Sequence, residues 1–181
     1  GKAIIKSLFN DPDAYAQLDV KEFTFENGPL GVLHAGVNFN KELEQIDIHA
    51  VADDGPEHQT LINGYVSPKR NYIDAQGTSM KFLENFCGSF MNQVEAWGDG
   101  HLNVVGDLKS VNLVGDITAH GKVHLKQLNT DYTFDALRAH AIPDDILIEN
   151  DTIFDRNRNI AILSGGIHHK HLTRLSYDLD I

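Results

Sequence analysis

The feature that most constrains this chain is an apolar/polar alternation that persists along almost its whole length. Leu18/Val20, Phe23/Phe25, Ile46/Ile48, Leu102/Val104, Val123/Leu125, Tyr132/Phe134, Ile146/Ile148, Ile160/Ile162 and Tyr177/Leu179 each set two apolar side chains two residues apart. In an extended chain such pairs share one face, so each pair reads as a half-buried strand. Between them lie turn-forming clusters: Glu26-Asn-Gly-Pro29, Asp53-Asp-Gly-Pro56, Ala141-Ile-Pro-Asp-Asp145 and Asp155-Arg-Asn-Arg-Asn159. Asn, Asp, Gly and Pro each favour tight reversals, and short reversals join antiparallel neighbours rather than helical crossovers. The expected fold class is therefore all-β, an elongated curled sheet of antiparallel or mixed strands.

One segment breaks the period. Met80, Leu83, Phe86/Cys87, Phe90 and Val94 are spaced by three and four, with Thr78 or Ser79 available as a cap and Gly98 just beyond. That spacing predicts the one short helix near residues 79–94. A 79–97 helical element then separates a first β part, 1–78, from a second, 98–181, within a single β-rich unit 1–181. Lys81 stands against Glu84 and Glu95, which leaves no basic face for an anionic membrane surface. The helix is expected to cover one end of the sheet with its apolar side. Cys87 is the only cysteine, so no internal disulfide forms. Among Phe82, Leu83, Phe86 and Phe90, its expected role is core packing.

A degenerate unit recurs in which a Gly and a short extended arm lead through a polar turn into a new alternating strand. It begins at Gly64, Gly106 and Gly166. Such units bury their apolar faces only by stacking on neighbours, which implies a sheet that grows unit by unit. With 181 residues, 41% of them hydrophobic, the chain can bury a core. A net charge of −11 with no basic cluster argues against nucleic acid as a partner.

Catalytic motifs are missing: there is no G-x-S-x-G elbow, Gly-rich phosphate loop or H-E-x-x-H helix. No catalytic residue is assigned, and the chain reads as a non-enzyme without a cofactor. His168-His-Lys-His171 lacks carboxylate or thiol partners in sequence and puts His168 and His171 on opposite faces of an extended strand, so it reads as solvent-exposed at a strand turn. Asp155-Arg-Asn-Arg-Asn159 copies the first half of a calcium loop, but Ile160 replaces the required Gly and Gly166 the bidentate Glu. It reads as an Asx-rich hairpin turn, and no metal ligand is assigned. Trp97, beside Gly98 and Gly100, reads as a turn residue rather than a glycan platform.

The residues from Trp97 onward resemble a known family. Trp97-Gly-Asp-Gly-His-Leu-Asn-Val-Val-Gly-Asp-Leu-Lys-Ser-Val-Asn-Leu-Val-Gly-Asp-Ile117, then Val123-His-Leu-Lys-Gln-Leu-Asn-Thr-Asp-Tyr-Thr-Phe134, is similar to the G-x-G-x-L-x-x-x-G, L-x-G, L-N-T-x-Y-x-F order in C-terminal regions of the TamB and AsmA-like translocation and assembly family. Ile153 to Leu172 resembles the family's strand, Asp-initiated turn and Gly-hydrophobic-x-His strand. Arg158 stands where the family usually has Gly before its Asn. The resemblance covers about residues 80–181 well and 1–79 in style alone.

The resemblance implies a β-taco-like trough in a periplasmic protein of a Gram-negative envelope, anchored in the inner membrane outside these residues. It implies phospholipid acyl chains as cargo and an outer-membrane Omp85-type barrel, similar to TamA or BamA, as partner, in service of outer-membrane biogenesis and protein secretion. Leu102, Val104, Val123, Leu125, Tyr132, Phe134, Ile146 and Ile148, the paired positions of the best-matched strands, are the expected groove lining. Their alternates Asn103, His124, Thr133 and Leu147 are expected to face outward. Leu175 to Ile181 alternate without a closing turn, which fits a piece of a longer protein with open edges able to self-associate. Two rival readings use the same strands: a structural β-solenoid or adhesin-like spacer with a closed core, and a small-ligand-binding β domain.

Overall fold

The computed structural model describes residues 2–6, 13–25, 28–55, 58–107, 110–171 and 173–181, with the backbone alone for 2–6, 13, 86 and 173. Among the described residues twelve strands follow one another: β1 Lys2–Lys6, β2 Asp13–Phe25, β3 Gly28–Asn40, β4 Gln45–Asp53, β5 Gln59–Val66, β6 Asn71–Ser79, β7 Met91–Asp107, β8 Ser110–Leu125, β9 Thr130–Ile142, β10 Asp145–Asp155, β11 Ile160–Lys170 and β12 Thr173–Asp180. They make one sheet in chain order, every strand antiparallel to the next. β1 and β12 do not meet, so the sheet stays open and curls into a trough. No described helix is long and apolar enough to cross a membrane.

Sheet curvature has local causes. Gly115 sits at φ +140° and Gly165 at φ +113°, and a Cβ at either would lie 2.1 Å from the His101 carbonyl oxygen or 1.9 Å from that of Asp178. Only glycine permits both the dihedral and the approach, and such kinks bend a sheet toward one face. Two bulges add to the bend, between Asn92 and Glu95 in β7 and between Ile148 and Asp151 in β10. Each has a residue in the left-handed region, Gln93 at φ 51° and Asn150 at φ 48°.

The helix is shorter than the spacing predicts. A 3-10 turn, Met80–Phe82, runs into α1, Leu83–Cys87, and the chain is extended again from Met91. Of the expected stripe, Phe90 lies in the turn before β7 and Val94 belongs to β7. The bulge at Gln93 inserts one residue and turns Val94 inward like Met91, so Phe90 and Val94 are both buried four residues apart, as on a helix. Glu84 fixes the join, its Oε1 accepting the Val94 N–H at 2.7 Å. Phe86, one of the expected stripe residues, has its side chain outside the described residues.

Trp97 is also placed differently from its sequence reading. It is buried within β7, stacked on His58 at 4.7 Å between ring centroids. Its indole N–H donates to Asp99 at 3.1 Å, leaving no aromatic platform for a sugar.

Candidate functional site: an apolar trough

Following the register across the sheet shows what the concave face is made of. Leu18 pairs with Ala35, Ala35 with Ala50, Ala50 with Ile62 and Ile62 with Ala75. From there the row continues through Leu102, Gly115, Ala141, Ile146 and Ile167 to Tyr177. Eleven strands, β2 to β12, thus contribute one row without a charged residue. A second row runs from Ala16 through Val37, Ile48, Gly64, Ile73 and Val104 to Leu113.

Over β2 to β4 this face is open, with Leu18 45% and Ile46 44% exposed. Over β7 to β12 it closes around a cavity of about 130 Å³ whose walls are almost wholly apolar. The 3-10 turn and α1 sit inside this half. Phe82 meets Phe25 edge to face at 5.5 Å, and Cys87 packs among Leu113, Ile146, Ile167 and Leu175. Burial pushes the Cys87 thiol up to about 12, so it stays a neutral packing group.

Seven of the eight expected lining residues, Leu102, Val123, Leu125, Tyr132, Phe134, Ile146 and Ile148, converge on that cavity. Val104 lies beside it, packed against Leu102, Leu113 and Ala141. Sequence reasoning passed over Leu113, Ile117, Ala139, Ala141, Ile153, Leu163, Ile167 and Leu179, which share the same wall. Ile160/Ile162 are the exception among the alternating pairs: they face outward, Ile160 69% exposed, because Ile153, Ala161 and Leu163 take the inner positions of that hairpin.

The convex face carries most of the polar side chains, with Leu61, Ile160 and Ile162 exposed among them. Leu147 lies there beside Arg138, His140 and Glu149, while His124 bonds Asp131 across the strands at 2.7 Å. Asn103 and Thr133 instead have their side-chain oxygens shielded from solvent. Further His–Asp contacts span adjacent strands on this face, His34 with Asp19 at 2.8 Å, His101 with Asp74 at 3.0 Å and His140 with Asp116 at 2.6 Å.

Within the His cluster, His168 bridges Asp145 at 2.5 Å and Asp178 at 2.9 Å. His169 is not solvent-exposed as the sequence suggests; it turns inward beside Cys87 and Ile167, its side chain 1% exposed. Among the described residues no group of three or more His, Cys, Asp or Glu could hold a metal ion. The Asp155 turn has its own purpose: Oδ1 accepts the N–H groups of Asn157 and Asn159, both at 2.8 Å. Arg158 occupies the left-handed region at φ 64°, its guanidinium 4.4 Å above the Phe154 ring centre.

Comparison with protein-family models, with characterised proteins and with solved structures finds no match to this chain.

Proposed function

We propose that this chain is a periplasmic segment of a TamB-like envelope protein whose trough shields phospholipid acyl chains on their way between the inner and outer membranes. The observation that supports it is the uncharged row from Leu18 to Tyr177, open over β2 to β4 and walled by apolar side chains over β7 to β12. Carrying an acyl chain needs no side-chain chemistry. It needs a continuous apolar surface, each buried methylene contributing about 0.8 kcal/mol, with an edge where the head group stays in water. The family resemblance adds an Omp85-type barrel as the outer-membrane partner, with the membrane anchor elsewhere in the protein.

Native mass spectrometry of the protein purified from an envelope-containing host tests this. Phospholipid adducts that disappear in the Leu125→Asp protein are the expected result, and adduct-free spectra under conditions that keep a control lipid carrier loaded would sink it.

One observation favours the closed-core spacer: the space of about 130 Å³ between the walls of β7 to β12 is comparable to a cavity that holds a benzene-sized guest. A spacer would give the same adduct-free spectrum before and after exposure to phospholipid vesicles.

A further inference from the structure

The uncharged row that crosses the trough is not bare along its whole length. Between β6 and β7, residues 80–90 leave the sheet and cross the concave face, where Phe82, Leu83 and Cys87 lie against Leu113, Ile146, Ile167 and Leu175. Ile146 and Ile167 belong to the row itself, so a cargo that follows the row from the open half meets these side chains. The fit beneath them leaves a gap of about 20 Å³, and Met80, Phe82 and Leu83 also roof the larger space of about 130 Å³. The far end of the segment, Phe90, lines a second, mostly apolar space of about 190 Å³ that shares Leu125 with the first. β6 ends at Ser79, paired with Trp97, and among the described residues Met91 to Ala96 pair with β8 alone. The segment is bonded to the sheet through Glu84, whose Oε1 accepts the Val94 N–H at 2.7 Å, and through Lys126, which donates to the Gly88 and Phe90 carbonyls.

We infer that residues 80–90 are a displaceable lid, and that Phe82, Leu83 and Cys87 keep the place of a single phospholipid acyl chain on the concave face until cargo arrives. This rests on the proposed lipid-shielding role. The exchange balances because like replaces like: the side chains lifted off Ile146 and Ile167 are apolar, and an acyl chain laid in their place restores the same kind of contact. A polar ligand would forfeit those contacts, and a peptide strand would bring backbone N–H and C=O groups that an aliphatic face does not satisfy. The sheet keeps its ladder while the lid moves, since residues 80–90 lie outside it. A helix of five residues with no side-chain bond at its N-terminal cap has little hold on its own shape away from the wall.

Cys87, the only cysteine of the chain, reports on the lid. It is 1% exposed and its thiol is pushed up to about 12, so it resists alkylation while the lid is down. The protein is mixed with vesicles of phosphatidylethanolamine and phosphatidylglycerol that carry a trace of phospholipid with a pyrene-labelled acyl chain, and a charged, membrane-impermeant thiol reagent is added to the water phase. Labelling of Cys87, read by intact mass, should accelerate in step with pyrene capture. Glu84→Ala deletes a hydrogen bond to a carboxylate, so without vesicles its Cys87 should label about tenfold faster than in the wild type, and its pyrene capture should be faster as well. Glu84→Gln, which keeps an acceptor oxygen, should fall between the two. The wild type with and without vesicles decides by itself, whatever Glu84→Ala does to the thermal midpoint. Pyrene captured by a wild type whose Cys87 stays protected overturns the lid and leaves the trough reading intact. No pyrene on any of the three proteins overturns both.

Discussion

Asp151 does the work of a missing strand partner for Arg138. Its Oδ2 accepts the Arg138 backbone N–H at 2.5 Å, and its Oδ1 accepts Nε and Nη2 of the same residue at 3.0 and 2.8 Å. The β9–β10 register is interrupted between the Ala139–Ile148 and Thr133–Phe154 pairs, and the carboxylate fills the interruption next to the Asn150 bulge. Buried backbone donors must be satisfied, and here a side chain does it.

Replacing Asp151 by Leu leaves that N–H without its acceptor, at a cost of about 1–3 kcal/mol. Thermal denaturation should show a lowered midpoint for Asp151→Leu and a smaller loss for Asp151→Asn, which keeps one acceptor oxygen. Equal midpoints for all three proteins would mean that water replaces the carboxylate and that the bulge is held by other contacts.

Two adjacent histidines should tilt stability in opposite directions. Burial holds the His169 imidazole below its usual value, so its neutral form is favoured in the fold. That contribution is present above the unfolded value of about 6.5 and is lost as the pH falls from there. Hydrogen bonds from Asp145 first, then Asp178, raise His168. Its contribution is present below about 6.5 and fades as the pH rises through the raised folded value. Urea midpoints at several pH values should therefore lose part of their acid-side slope in His169→Gln and part of their alkaline-side slope in His168→Gln. Asp144 and Asp178, held below the usual carboxylate range, act in a separate window at lower pH. If both variants keep the wild-type profile, neither imidazole is linked to folding.

Chelation should leave the fold unchanged. Asp155 spends Oδ1 on its own turn and His168 spends both ring nitrogens on Asp145 and Asp178. Thermal midpoints with and without a strong chelator are expected to coincide, and a clear fall on chelation would point to a coordination sphere assembled from other groups.

Alternation made the strands legible, and the turn clusters made their antiparallel order legible. What escaped had local physical causes. The helix boundary was hidden because Phe90, in the turn before β7, and Val94, turned inward by the Gln93 bulge, are both buried four residues apart. Half of the trough escaped because its floor is built from Ala35, Ala50, Ala75, Gly115 and Ala141, residues too small to register as a hydrophobic pattern. Small side chains there let a tightly curled sheet keep its strands close on the inner side. Ile160/Ile162 misled because β11 has apolar residues on both faces, and the inner face is settled by Ile153 across the hairpin. His169 offered no sequence signal, since its inward orientation follows from the register of β11 and from the position of α1 beneath it.

The sharpest contrast between an open trough and a closed core comes from Leu125. It is half-buried and borders both apolar spaces. In a sealed core, Leu125→Asp would strand an unpaired carboxylate and cost several kcal/mol. In a wall that water reaches from the second space, the carboxylate stays hydrated, the midpoint falls modestly and the passage for acyl chains becomes polar. Circular dichroism melts and capture of a pyrene-labelled phospholipid from vesicles should accordingly separate, with most of the lipid capture lost while the cooperative transition is kept. A photo-crosslinking side chain at position 125 in cells should label phospholipid, and one at Val104, on the neighbouring row of the concave face, should do so as well. Unfolding of Leu125→Asp together with no lipid captured at either position would assign these side chains to an ordinary closed core.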